Sequence, residues 1–113
     1  LSIIHVIDSR SFATVESYDQ SVGERASQYA EEIMTSYKEQ AERAGVTDVH
    51  ILIEYGSPKA VIPKDGAEKA NADLIVCGAT GLSAMERFLI GSVSEHITRS
   101  AECDVLVVRT DDQ

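Results

Sequence analysis

Basic residues are scarce in this sequence. Ten lysines and arginines stand against nineteen aspartates and glutamates, a formal net charge of −9 over 113 residues. A surface of that sign repels nucleic acid and anionic lipid, so non-specific binding to phosphate backbones or membranes is not expected. A local anion site stays open, provided backbone N–H groups build it. Long apolar runs are missing too, and no stretch approaches the length of a membrane span. The first residues lack the basic, apolar and small-residue order of a signal peptide. Cysteine appears only at Cys77 and Cys103, and with no secretion signal in view we expect reduced thiols in a cytoplasmic protein. His5, His50 and His96 are far apart, and none pairs with a cysteine at metal-ligand spacing, so no metal site is expected. There is no internal repeat, low-complexity tract or linker, and the length suits one domain over residues 1–113.

What is present is an alternation of two patterns. Four short runs rich in Val, Ile and Leu read as strands: Ser2 to Asp8, Asp48 to Glu54, Asp73 to Cys77 and Asp104 to Arg109. The last two are almost continuously apolar, which predicts strands buried on both faces. Between the first two runs, apolar residues recur at Val22, Ala26, Tyr29, Ala30, Ile33, Met34, Tyr37, Ala41 and Ala44. That three- and four-residue spacing predicts a helix from about Gln20 to Ala44, with one face on a sheet and Gly45 as its stop. A second helix should open with Ser57 as N-cap and Pro58 at its first position, running to about Ala70. Pro63 lacks an N–H and crowds the carbonyl of Lys59, so a kink or break is expected there. A last helix, about Val93 to Ala101, should follow Ser92, whose spacing to Glu95 suits a capping box. Strands alternating with helices predict an α/β fold with parallel strands. The two long loops, Ser9 to Asp19 and Ala79 to Ile90, each follow a strand and so fall at the carboxyl edge, where open α/β folds bind ligands.

The segment from Gly78 to Ile97, GATGLSAMERFLIGSVSEHI, carries the chemistry. Glycines at Gly78, Gly81 and Gly91 remove Cβ atoms and permit unusual backbone angles, so the chain can approach a bulky ligand. At Gly91-Ser92-Val93-Ser94 the free N–H groups of a helix start would point outward with the positive end of the helix dipole. The hydroxyls of Ser92 and Ser94 would add donors. No Gly-Lys-Ser/Thr follows, so this is no P-loop, and it is not the G-x-G-x-x-G dinucleotide fingerprint. On spacing alone two readings stand side by side: turn glycines with a serine cap, or a phosphate cradle.

Gly78, Gly81, Gly91 and Ser92 form G-x2-G-x9-G-S, which resembles the ATP-binding signature of the universal stress protein family. The flanks are similar as well: HVID at His5 to Asp8, GSPKAVI at Gly56 to Ile62, ADLIVCGATG at Ala72 to Gly81 and CDVLVVR at Cys103 to Arg109. The resemblance covers essentially the whole chain. It implies a Rossmann-like domain, of the adenine nucleotide alpha hydrolase type, with a five-stranded open parallel sheet and helices on both faces. ATP, with Mg2+, would lie across the carboxyl edge. Gly78, Gly81, Gly91, Ser92, Val93 and Ser94 would hold ribose and phosphates, and a backbone group at Val6 would meet the adenine; read alone, Val6 is a core strand residue. The resemblance also implies a homodimer through the last strand, Asp104 to Val108. In the family a further strand and helix precede the HVID strand, and that central strand ends in an aspartate that contacts the nucleotide. This chain begins on Leu1 inside an apolar run; without the central strand the pairs on either side would lose their common neighbour, and we expect a preceding segment, or else a partner chain, to supply it.

Other residues have plainer readings. Cys77 reads as a small buried hydrophobe, His96 as a solvated helix residue, Asp8 as a strand-end polar group, and Phe88, Leu89 and Ile90 as loop anchors in the core. Arg87 reads equally as a phosphate contact or an exposed loop charge. No serine sits with a histidine and carboxylate in a recognisable motif. ATP cleavage needs a metal and a positioned water, which this sequence does not reveal, so any hydrolysis should be slow. The expectation is an ATP-binding stress or signalling module that acts by binding. The alternatives are a slow ATPase or nucleotidyl-transfer enzyme on the same fold, or a structural dimer with an empty site.

Overall fold

The computed structural model describes residues 1–8, 21–79 and 90–109. Strands β1 (Ser2–Ile7), β2 (His50–Tyr55), β3 (Leu74–Gly78) and β4 (Asp104–Val108) alternate with helices α1 (Ser21–Arg43), α2 (Pro58–Val61), α3 (Ala67–Ala70) and α4 (Ser92–Ser100). Contacts cluster into two compact units, 1–58 and 59–113.

In the first unit β1 and β2 pair in parallel, from Ser2 opposite His50 to Ile7 opposite Tyr55. Parallel neighbours need a crossover, and α1 supplies it, packing on both strands. Its inward line is Ala30 and Met34, four residues apart, and both are buried. With Val6, Ile7 and Val49 they form the core of this unit. Tyr29 and Tyr37 belong to the expected apolar stripe, yet both are exposed. Each residue advances about 100° around a helix, which turns Tyr29 away from the Ala30–Met34 line. A tyrosine at the rim can also keep its hydroxyl in water. The helix ends as the sequence predicts. Gly45 takes φ +105°, its N–H donates to Glu42 at 3.0 Å, and the Val46 N–H donates to Ala41 at 3.0 Å. This pair of bonds is a Schellman stop, in which only glycine is unstrained.

In the second unit the expected helix of residues 58–70 is continuous in path but not in type. Ile62–Gly66 forms a π-helical turn between α2 and α3, with Pro63 and Gly66 buried. The Ala67 N–H reaches back to the carbonyl of Ile62. Pro63 has no N–H to give Lys59, and the wider turn absorbs that gap without a break. Asn71 closes α3 at φ 52°, a left-handed position that asparagine tolerates. β3 and β4 pair in parallel, from Leu74 opposite Asp104 to Gly78 opposite Val108. α4 packs on β4 and on the π turn, burying Ile97.

One expectation needs correction. The strands β3 and β4 are not buried on both faces. Leu74 and Val76 on β3, and Leu106 and Val108 on β4, are 41–58% exposed and share one side of the ladder. Continuous apolar sequence marks strands that can be covered twice; here one side meets solvent. The described residues hold two two-stranded parallel sheets, the two pairs that the central strand implied by the resemblance would join. A fifth strand has no counterpart among them, because only four runs of these residues have strand character.

Candidate functional site

The site is built where β3 ends and α4 begins. Gly78 is the last residue of β3, opposite Val108. The next residue, Ala79, is buried, and its N–H donates to the Val108 carbonyl at 2.9 Å. The Ala79 carbonyl accepts from the Gly91 N–H at 2.7 Å. The chain leaving β3 and the chain entering α4 are thus held side by side.

The helix starts one residue earlier than its sequence suggests. Gly91, at φ −63° and ψ 156°, is the N-cap, and Ser92 is the first helical residue. No side chain caps this end, so the expected Ser92–Glu95 capping box does not form. Glu95 instead donates its N–H to the Gly91 carbonyl at 2.9 Å, and its carboxylate pairs with Arg99 one turn on, at 2.5 Å. Because the first intrahelical bond begins at Glu95, the N–H groups of Ser92, Val93 and Ser94 have no acceptor within the helix. They lie at the positive end of the helix dipole and are the donors a phosphate would use. The Gly91 N–H is already committed to Ala79 and is not among them.

The glycines also act otherwise than expected. Among the described residues only Gly45 and Gly56 are glycines with positive φ. Gly78 is strand backbone and Gly91 is extended, so neither needs glycine for its angles. Having no Cβ, either could let a ligand come close to its backbone. Gly81 and Arg87, and the loop residues Phe88 and Leu89, lie outside the described residues. Ile90 is described and is exposed, so it does not anchor the loop in the core.

Ser94 is buried, and its hydroxyl donates to the Gly78 carbonyl. A serine hydroxyl has one proton to give, and here it goes to Gly78, so only the Ser94 backbone N–H is left as a donor for a ligand. Val6 is buried in β1 opposite Glu54, so only its backbone could face a ligand. Cys77 and Cys103 are half-buried free thiols. Among the described residues no group of three His, Cys, Asp or Glu side chains could hold a metal. A cavity of about 270 Å3 lies among Pro63, Lys64, Asn71, Glu102 and Cys103, and Ser92–Ser94 do not line it. The residue that sequence reasoning missed is Ala79. Its hydrogen bonds are all backbone, so its small side chain gave no signal.

The model of the universal stress protein family matches residues 1–109. The chain belongs to that family. A Staphylococcus aureus (strain USA300) protein assigned to the universal stress proteins is 54% identical over 112 residues, covering 99% of this chain and 68% of that protein. Among solved structures, the hypothetical protein MJ0577 superposes with a TM-score of 0.84 at 29% identity, over 99% of this chain and 76% of that one. A universal stress protein in complex with cAMP superposes with a TM-score of 0.65 at 28% identity, over 98% of this chain and 74% of that one. The fold is therefore the parallel, Rossmann-like α/β fold of universal stress proteins. No helix of the described residues is long and apolar enough to cross a membrane.

Proposed function

We propose that this universal stress protein binds ATP, carried with Mg2+, and acts in the cytoplasm as a nucleotide-dependent stress or signalling module. The observation that carries this reading is the row of three N–H donors at Ser92, Val93 and Ser94, held beside the end of β3 by the Gly91–Ala79 hydrogen bond. Backbone donors at a helix start bind phosphate without a lysine, which suits a chain of net charge −9. A related universal stress protein has been solved in complex with cAMP, an adenine nucleotide, which supports the same ligand class here. Magnesium would be carried by the phosphates, since the described carboxylates form no ligand cluster. Val6 backbone would meet the adenine, and Gly78 and Gly91 would let the ribose and phosphates approach.

ATP would change the behaviour of the protein by favouring whichever conformation binds it better. We also propose a two-fold dimer through β4, supported by the exposed Leu106 and Val108 and by the absence of a second partner for β4 among the described strands. Calorimetry with Mg-ATP on the full-length protein tests the first reading. Saturable binding is expected, and no binding at millimolar ATP refutes it. Phosphate release faster than about once per minute would favour an enzyme over a binding module. Sedimentation at micromolar protein tests the dimer, and a monomer throughout would refute it.

A further inference from the structure

We propose that Ser94 is a positioning residue: its buried hydroxyl latches the first turn of α4 to the end of β3 and so aims the N–H row at the ligand. The inference rests on the nucleotide reading above, which it deepens. Ser94 is the only buried polar residue among those described, at 7% exposure. Placing a hydroxyl there costs free energy unless it is bonded. Its single proton goes to the Gly78 carbonyl, out of its own helix and onto the strand. One turn on, the Thr98 hydroxyl donates to the Ser94 carbonyl at 2.8 Å, as an ordinary helix-internal bond. The Ser94 side chain therefore departs from what a serine within a helix would do by default.

The geometry explains why such a bond matters. The Gly91–Ala79 hydrogen bond joins the two chain segments at one point, about which the helix start could pivot. The Ser94–Gly78 bond is a second point, on the adjacent strand residue and three residues further into the helix. Two points fix the direction of the first turn where one would not. Ser92, Val93 and Ser94 then hold their N–H groups in place before any ligand arrives, so binding loses less ordering entropy. Serine suits the position because it is small enough to be buried and carries one directed donor.

The test uses the full-length protein with Ser94→Ala and the volume-matched pair Ser94→Thr and Ser94→Val. Mg-ATP affinity is measured by calorimetry, and Gly91 amide exchange by NMR without nucleotide. The expected result is an affinity loss of roughly tenfold for the alanine and valine variants, with threonine restoring it to within about threefold of wild type. Gly91 amide exchange should rise at least about tenfold in the alanine and valine variants and stay slow with threonine. Alanine equal to wild type in both measurements, or valine equal to threonine, overturns the proposal. If wild type itself does not bind Mg-ATP, the nucleotide reading fails while the exchange measurement still decides the latch. Should the alanine and valine variants fail to fold, the wild-type protein decides: a slowly exchanging Ser94 hydroxyl proton coupled to the Gly78 carbonyl is expected, and its absence overturns the latch.

Discussion

Replacing Gly91 by valine isolates the ligand-approach role of that glycine. At a left-handed glycine, valine would strain the backbone and confuse folding with binding. Gly91 sits at φ −63° and ψ 156°, which any residue adopts, so no such strain arises. The Gly91 N–H bond to Ala79 uses backbone atoms and survives the change. The stability cost is that of a poorer N-cap, about 1 kcal/mol, or a fall in Tm of roughly 4–8 °C for a domain near this size. The ligand cost is larger. Two branched methyl groups would stand beside the N–H groups of Ser92 and Val93, and a hydrogen bond to a charged group is worth about 1.5–3 kcal/mol. Losing two of them weakens Mg-ATP binding by at least about 100-fold, effectively abolishing it. Calorimetry reads the affinity, and thermal unfolding followed by circular dichroism reads the fold. A folded Gly91→Val protein that binds within about threefold of wild type would refute the placement of the phosphates at the start of α4.

Three further outcomes follow from the same structure. Gly45→Ala should lose about 1 kcal/mol of stability, measured by urea unfolding, because φ +105° is strained for alanine although no atom lies within 4 Å of the added Cβ; nucleotide affinity should not change. Met34→Ala and Ile97→Ala each remove a fully buried side chain and should cost about 2–5 kcal/mol in the same assay; a loss below about 1 kcal/mol would show that these are not core positions. Glu95→Gln removes a carboxylate from the first turn of α4, where it opposes an incoming anion, and leaves Arg99 unpaired. Calorimetry at low salt should show Mg-ATP binding about two- to threefold tighter, with the gain vanishing at high salt. Thermal unfolding should move little, since an exposed helix pair contributes about 0.3–0.5 kcal/mol.

Much of this molecule is legible in its residues because the responsible physics is local. The alternation of apolar runs with helical spacing announces parallel α/β architecture, and four strands stand within a few residues of where the runs lie. Gly45 stops α1 because a Schellman turn needs a left-handed residue, and that need is written in one position. Gly78, Gly91 and the Ser-Val-Ser that follows mark a helix start with free donors before any coordinate is known. Tertiary packing decided the rest. Pro63 could have broken its helix, and the choice of a π turn depended on burying Pro63 and Gly66 beneath α4. The β3 and β4 runs are apolar throughout, but exposure is a property of what lies over a face, so sequence alone could not show that Leu74, Val76, Leu106 and Val108 meet solvent. Ser92 and Ser94 look alike as donors in the chain. They part because Gly78, sixteen residues earlier, takes the proton of Ser94. That long-range contact sets the two hydroxyls apart, and it exists only once strand and helix have been brought together.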